Sequence, residues 1–147
     1  MAKGLGTLET TIRQATAADL DLPWMWAGEL FDDAESWANL RAFLAEPGNQ
    51  LFLAMQEDRI VGLVCGSVLR RPVDDPVLFL HALIVGEQGQ GLARLLCRRL
   101  TTHARNAGCK LLWLAGEADI PASLDLFQGI VTSDLRKIAL HEWDIGA

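Results

Sequence analysis

The stretch Val77-Leu78-Phe79-Leu80-His81-Ala82-Leu83-Ile84-Val85-Gly86-Glu87-Gln88-Gly89-Gln90-Gly91-Leu92-Ala93 decides how this chain folds. Residues 77–85 are apolar except for His81, the pattern of a central strand covered on both faces. From Gly91 the period becomes helical: Leu92, Leu95, Leu96, Leu100 and Ala104 fall on one face, Arg94, Arg98 and Arg105 on the other, and Gly108 is the stop. A strand that runs through Gly89-Gln90-Gly91 straight onto a helix aims the free N–H groups of the first helical turn at the loop, which makes an anion site. Glycine lets the backbone approach phosphate oxygens closely, and Gln88 and Gln90 add amide donors without bulk. A nucleotide pyrophosphate fits such a loop; a left-handed turn that only joins strand to helix is the plainer alternative. The dinucleotide fingerprint G-x-G-x-x-G and the P-loop G-x-x-x-x-G-K-[ST] need spacings that do not occur here.

Upstream, Leu51 to Met55 and Ile60 to Leu69 are apolar runs separated by Gln56-Glu57-Asp58-Arg59, which predicts an antiparallel hairpin. Before it, Glu35 to Ala45 places Trp37, Leu40, Arg41 and Leu44 on one helical face, and Pro47-Gly48-Asn49 ends that helix in a turn. Thr11 to Ala15 reads as a brief strand, and Thr16-Ala17-Ala18-Asp19 has the spacing of a capping box that opens a helix cut short at Pro23. Downstream, Leu111 to Ala115 reads as a buried strand, Pro121 to Gln128 as a short helix and Arg136 to Ile145 as a final alternating strand. The order is mixed α/β, close to α+β, in a single domain over residues 1–147 with a flexible leader over residues 1–10.

The chain of 147 residues is 50% hydrophobic and 22% charged, a composition that forms a packed core. Its formal net charge of -6 repels a nucleic-acid backbone and favours a cationic small molecule, or simply keeps the protein soluble. The N-terminal residues lack the apolar centre of a signal peptide and no apolar run is long enough to cross a bilayer, so a cytoplasmic location is expected, with no membrane partner. Cys65, Cys97 and Cys109 are expected as reduced core thiols. Together with the three histidines they show no zinc-like spacing, and no metal is expected.

Gln88-x-x-Gly91-x-Ala93 resembles the Q/R-x-x-G-x-G/A signature of the GNAT acetyltransferases, and the flanking elements follow that family's order over residues 11–145. The resemblance implies a central, mostly antiparallel twisted sheet flanked by helices, splayed at the acetyl-CoA site. It further implies that Gln88, Gly89, Gln90, Gly91, Leu92 and Ala93 hold the CoA pyrophosphate, and that backbone groups of Leu83, Ile84 and Val85 line the thioester. Within the family the chain is most similar to small aminoglycoside acetyltransferases that modify the 3-amino group. The shared pieces are Leu51-Phe52-Leu53-Ala54 with Ile60-Val61-Gly62, Asp74-Asp75, Pro121-Ala122 before Leu126-Phe127, and His141-Glu142-Trp143-Asp144-Ile145. The family's tyrosine that protonates the departing thiolate is replaced by Phe127, in a chain with no tyrosine.

An amine must be neutral to attack a thioester, so a base is needed near the splayed strands. His81 and Glu117 are the candidates; a core histidine satisfied by a backbone carbonyl and a solvated loop acid are the plainer readings. Glu29, Asp32, Asp33, Asp119 and Asp144 are candidates for holding the ammonium groups of an aminoglycoside, with Asp74, Asp75, Glu117 and Glu142 as further acids, all of which read equally as surface charge. The five tryptophans fit core packing, a homodimer interface or stacking on sugar rings. A CoA-binding regulatory module without turnover is the rival from another functional class.

Overall fold

The computed structural model describes residues 9–21, 34–85, 90–115, 126–127, 129–131 and 135–146. Five strands form one sheet in chain order: β1 (Thr10–Gln14), β2 (Asn49–Gln56), β3 (Arg59–Leu69), β4 (Val77–Val85) and β5 (Leu111–Leu114). The first four make an antiparallel meander, with the predicted Gln56↔Arg59 hairpin at its centre. Helix α2 (Gln90–Asn106) then carries the chain back over the sheet, so β5 pairs parallel to β4.

The sheet separates two cores. On one face Phe52, Ala54, Val64, Leu78 and Leu80 meet Leu96, Cys97, Leu100 and Ala104 of α2. On the other, Leu51, Leu53, Leu63 and Cys65 meet Leu40, Phe43 and Leu44 of helix α1 (Ala34–Ala45). Strand β4 contributes to both through a bulge. Gly66 pairs with Leu80 and Cys65 with Ala82, so His81 is an extra residue in the ladder. Before it, Leu78 and Leu80 face α2; after it, Leu83 and Val85 face α2 while Ala82 and Ile84 join the α1 side.

Helix α2 stops as predicted. Gly108 takes a φ of +95°, its N–H reaches the Arg105 carbonyl at 3.0 Å, and the Cys109 N–H reaches the Ala104 carbonyl at 3.0 Å. These two bonds satisfy carbonyls that the helix itself leaves free, the arrangement of a Schellman cap.

Several expectations are corrected. The Thr16 capping box is present, the Thr16 N–H donating to Asp19 Oδ2 at 2.7 Å, but it opens a 3-10 helix over Ala17–Asp21. Asp19 also accepts from Arg13, which ties this turn to β1. Among the described side chains of α1 the packed stripe is Leu40, Phe43 and Leu44, with Trp37 outside them; Arg41 is exposed, because Phe43 rather than Arg41 lies over the sheet. Leu95 of α2 is 51% exposed, lying off the stripe of Leu96, Leu100 and Ala104. Strand β5 is an edge, with Leu111 at 42% and Leu114 at 47% exposure, since no strand covers its outer side among the described residues.

The expected final strand over residues 136–145 is absent: residues 135–146 pair with none of the five strands. The alternation itself slips. Ile138 and Leu140 share one phase, Trp143 and Ile145 the other, so no single face is apolar. All four are exposed.

Of the expected helix over residues 121–128, Leu126 and Phe127 are described and helical. Phe127 and Ile130 are buried in the α2-side core, and Arg105 donates to the Ile130 carbonyl.

Candidate active site

The site begins where two strands part. Pairing of β4 with β5 runs from Val77↔Leu111 to Leu80↔Leu114 and stops, while β4 continues to Val85. His81 is therefore both the bulged residue and the first residue of β4 beyond the last pair. Leu83, Ile84 and Val85, the expected thioester lining, are half-buried on that same extension.

Helix α2 starts at Gln90, just past the end of β4. Its first turn contains no acidic residue, and its last turn carries His103 and Arg105. No acid within the first turn itself offsets the positive end of the helix dipole, which favours an anion there. Gly91 is exposed, and a Cβ built on it meets nothing within 4 Å. Among the described residues, a side chain at Gly91 would point into free space. Leu92 and Ala93 pack inward and anchor the turn. At Gly62 on β3 an added Cβ would lie 3.2 Å from Leu96 and 3.3 Å from Leu92, so the helix start is held close against the sheet. Gln88 and Gly89 lie outside the described residues.

His81 is exposed, and its neighbours are defined on three sides. Its ring stacks on Phe79 with centroids 5.1 Å apart and meets the edge of Phe43 at 5.6 Å. Its Nε2 lies 2.7 Å from Ser67 Oγ. Ser67 in turn donates to Asn49 Oδ1 at 2.6 Å, and Asn49 Nδ2 donates to the Phe43 carbonyl at 3.0 Å. The partner of His81 is a side-chain hydroxyl rather than a backbone carbonyl. The side chain is exposed overall, but partial desolvation of a ring packed against Phe79 and Phe43 lowers its pKa from the usual 6.5, so it is neutral and able to accept a proton at pH 7.

Asn49, Ser67 and Phe43 did not stand out in the sequence. A single hydroxyl inside the apolar run of β3 is the one signal that could have found Ser67.

The acidic candidates divide. Glu29, Asp32, Asp33, Glu117 and Asp119 lie outside the described residues. Asp144 is exposed in the C-terminal segment and accepts from the Gly146 N–H at 2.9 Å. Asp74 and Asp75 stand before the start of β4, at the opposite end from His81 to Val85, near Arg71 (3.9 Å) and Lys110 (3.4 Å) respectively. They do not converge on the opening. Phe127 is a core residue, 6% exposed.

A strand extended past its neighbour and followed by a helix with no acid in its first turn fits the class of acyl-CoA-using transferases. The acetyltransferase (GNAT) family model matches residues 15–129, and the chain belongs to that family. No curated protein sequence matches it significantly. Solved structures share the fold at low identity. The aminoglycoside N-acetyltransferase AAC(6')-Iy in complex with CoA has a TM-score of 0.72 at 17% identity, covering 95% of this chain and 97% of that one. The aminoglycoside antibiotic 6'-N-acetyltransferase AAC(6')-Ih from Acinetobacter baumannii has a TM-score of 0.70 at 17% identity, covering 94% and 100%. An aminoglycoside acetyltransferase from an uncultured soil metagenomic sample, in complex with sisomicin, has a TM-score of 0.68 at 16% identity, covering 93% and 97%. AAC(6')-Ih is a 6'-N enzyme, whereas the sequence resemblance pointed to 3-N enzymes.

Proposed function

We propose that this acetyltransferase uses acetyl-CoA to acetylate an amine of a cationic small molecule, with an aminoglycoside as the acceptor class. The observation that carries the reading is the continuation of β4 beyond its last pair with β5, directly into the Gln88-x-x-Gly91-x-Ala93 loop and the acid-free first turn of α2. In this reading Gln88, Gly89 and the amides of Gln90 to Ala93 take the CoA pyrophosphate, while β4 backbone from Leu83 to Val85 lines the thioester. His81 removes the proton of the acceptor amine, with Glu117 as the other candidate. The amine nitrogen forms a bond to the acetyl carbon, the carbon–sulfur bond breaks, and CoA leaves as thiolate. A thiol pKa of about 8.5 makes that thiolate a fair leaving group, and water protonates it in place of the missing tyrosine.

Glu29, Asp32, Asp33, Asp119 and Asp144 are proposed to hold acceptor ammonium groups, a role that the net charge of -6 favours through long-range attraction. We place the enzyme in the cytoplasm as a homodimer without a metal. The test is thiol release from acetyl-CoA across aminoglycosides and simple polyamines: release with aminoglycosides supports the reading, and release only with polyamines moves the acceptor class. The loss of the tyrosine at Phe127 favours a second reading, a CoA-binding module without turnover. In that case acetyl-CoA raises Tm while no amine releases thiol.

A further inference from the structure

The hydrogen bonds beneath His81 have a direction that can be worked out from their far end. A backbone carbonyl only accepts, so the group of Asn49 that faces the Phe43 carbonyl at 3.0 Å is its NH2. The Asn49 Oδ1 is thereby turned toward Ser67, 2.6 Å away, and it too can only accept. Ser67 has one hydroxyl hydrogen and gives it to Asn49. What Ser67 offers His81 at 2.7 Å is therefore an oxygen lone pair, and the hydrogen between them belongs to Nε2. In the neutral ring the bare nitrogen is then Nδ1.

We propose that Asn49 and Ser67 are positioning residues that fix His81 in its Nε2–H form and present the Nδ1 lone pair to the acceptor amine. This rests on the reading of His81 as the base. The proton passes from the amine nitrogen to Nδ1, giving an imidazolium whose Nε2–H is already matched by Ser67. The same direction removes Ser67 as a nucleophile activated by His81, because its hydrogen points away from that base. The bulge supplies the remaining constraint: it sets His81 outside the regular ladder at the end of β4–β5 pairing, while Phe79 and Phe43 hold the plane of the ring.

The described strands beside this ring carry no charged residue next to it. Strands β2 and β4 contain no charged residue. Arg59 is the only one on β3 and pairs with Gln56 at the end remote from Ser67. On α1, Glu35 lies near the opposite end from Phe43, Arg41 stands two residues from Phe43, about 200° around the helix, and Glu46 just beyond is exposed. Among the described residues, desolvation is what lowers the titration of His81.

The test is the ring titration of His81, followed by NMR on the full chain. Only three histidines are present, and His81→Asn identifies the signal. In Ser67→Ala the midpoint should move to lower pH, because the imidazolium loses more than the neutral ring when the acceptor at Nε2 is removed; Ser67→Thr should restore it. A rise in Ser67→Ala, which a donating Ser67 would produce, or no change, overturns the proposal. Should Ser67→Ala fail to fold, the ring 15N signals of the wild-type protein at high pH decide: a hydrogen on Nδ1 overturns it. The rate then tests the role. The acid limb of kcat/KM should shift with the ring in Ser67→Ala while KM for acetyl-CoA stays unchanged; a limb that ignores the ring overturns the catalytic role. If no amine releases thiol, the proposed function fails on its own, and the NMR result still decides the direction of the hydrogen bonds.

Discussion

Gly66 stands opposite Leu80, beside the bulge, where an added Cβ would lie 2.8 Å from the Phe79 carbonyl and 3.0 Å from Leu78. Backbone cannot retreat there without disturbing the strand that carries His81. Gly66→Ala should therefore cost about 1–3 kcal/mol, as overpacking in a close-packed core does, read as a lower urea midpoint at unchanged m-value. His81 makes its own demand on stability. Its pKa is lowered on folding, so as pH falls below 6.5 the unfolded chain takes up a proton that the folded ring resists. The contribution of His81 is present in full above pH 6.5 and is lost as pH drops toward the folded value. A stability–pH curve for His81→Asn should lack that acid-side decline. The same substitution should lower kcat by about 10²–10⁴ if His81 is the base.

At the scale of elements, helix α2 has a start proposed to hold a ligand and a stop made for the fold. Gly91→Asp separates the two demands. An acid in the first turn should leave Tm unchanged or slightly raised, since it complements the helix dipole by about 0.3–1 kcal/mol. It should also raise KM for acetyl-CoA at least about tenfold, because a carboxylate would then occupy the approach of the pyrophosphate. A variant that binds acetyl-CoA normally would remove Gly91 from the donor site.

The contrast explains what the sequence made legible. Strand β4, the hairpin and α2 are written in local patterns, a run apolar but for His81, four polar residues between apolar runs and a helical stripe ended by Gly108. The end of β4–β5 pairing and the bulge at His81 depend on register between strands distant in sequence, which no local pattern encodes. The Asn49–Ser67–His81 chain spans three strands for the same reason. Residues 136–145 failed as a strand because their apolar phase slips between Leu140 and Trp143, so no single face is left to bury.

For the whole molecule, the C-terminal segment sets an expectation about assembly. Trp143 is 75% and Ile145 95% exposed, in a segment whose one hydrogen bond among the described residues is local. Exposed apolar groups of this size favour contact with a second surface, in keeping with the proposed homodimer. Sedimentation equilibrium should give a dimer, and the double substitution Trp143→Glu with Ile145→Lys should shift it toward monomer; a wild-type monomer at high concentration would rule the dimer out.

The three cysteines are free and buried, and burial pushes Cys65 and Cys97 up to about 11 and raises Cys109 as well. Thiolate is the reactive form, so the native protein should be nearly silent to thiol reagents near neutral pH, and colour in a thiol-release assay would come from CoA. The silence can also be turned into a clock. Cys65 lies in the α1-side core, while Cys97, on α2 itself, and Cys109 lie in the α2-side core. Their separate alkylation rates would report which side of the sheet opens first, and whether CoA slows the opening of the α2 side alone.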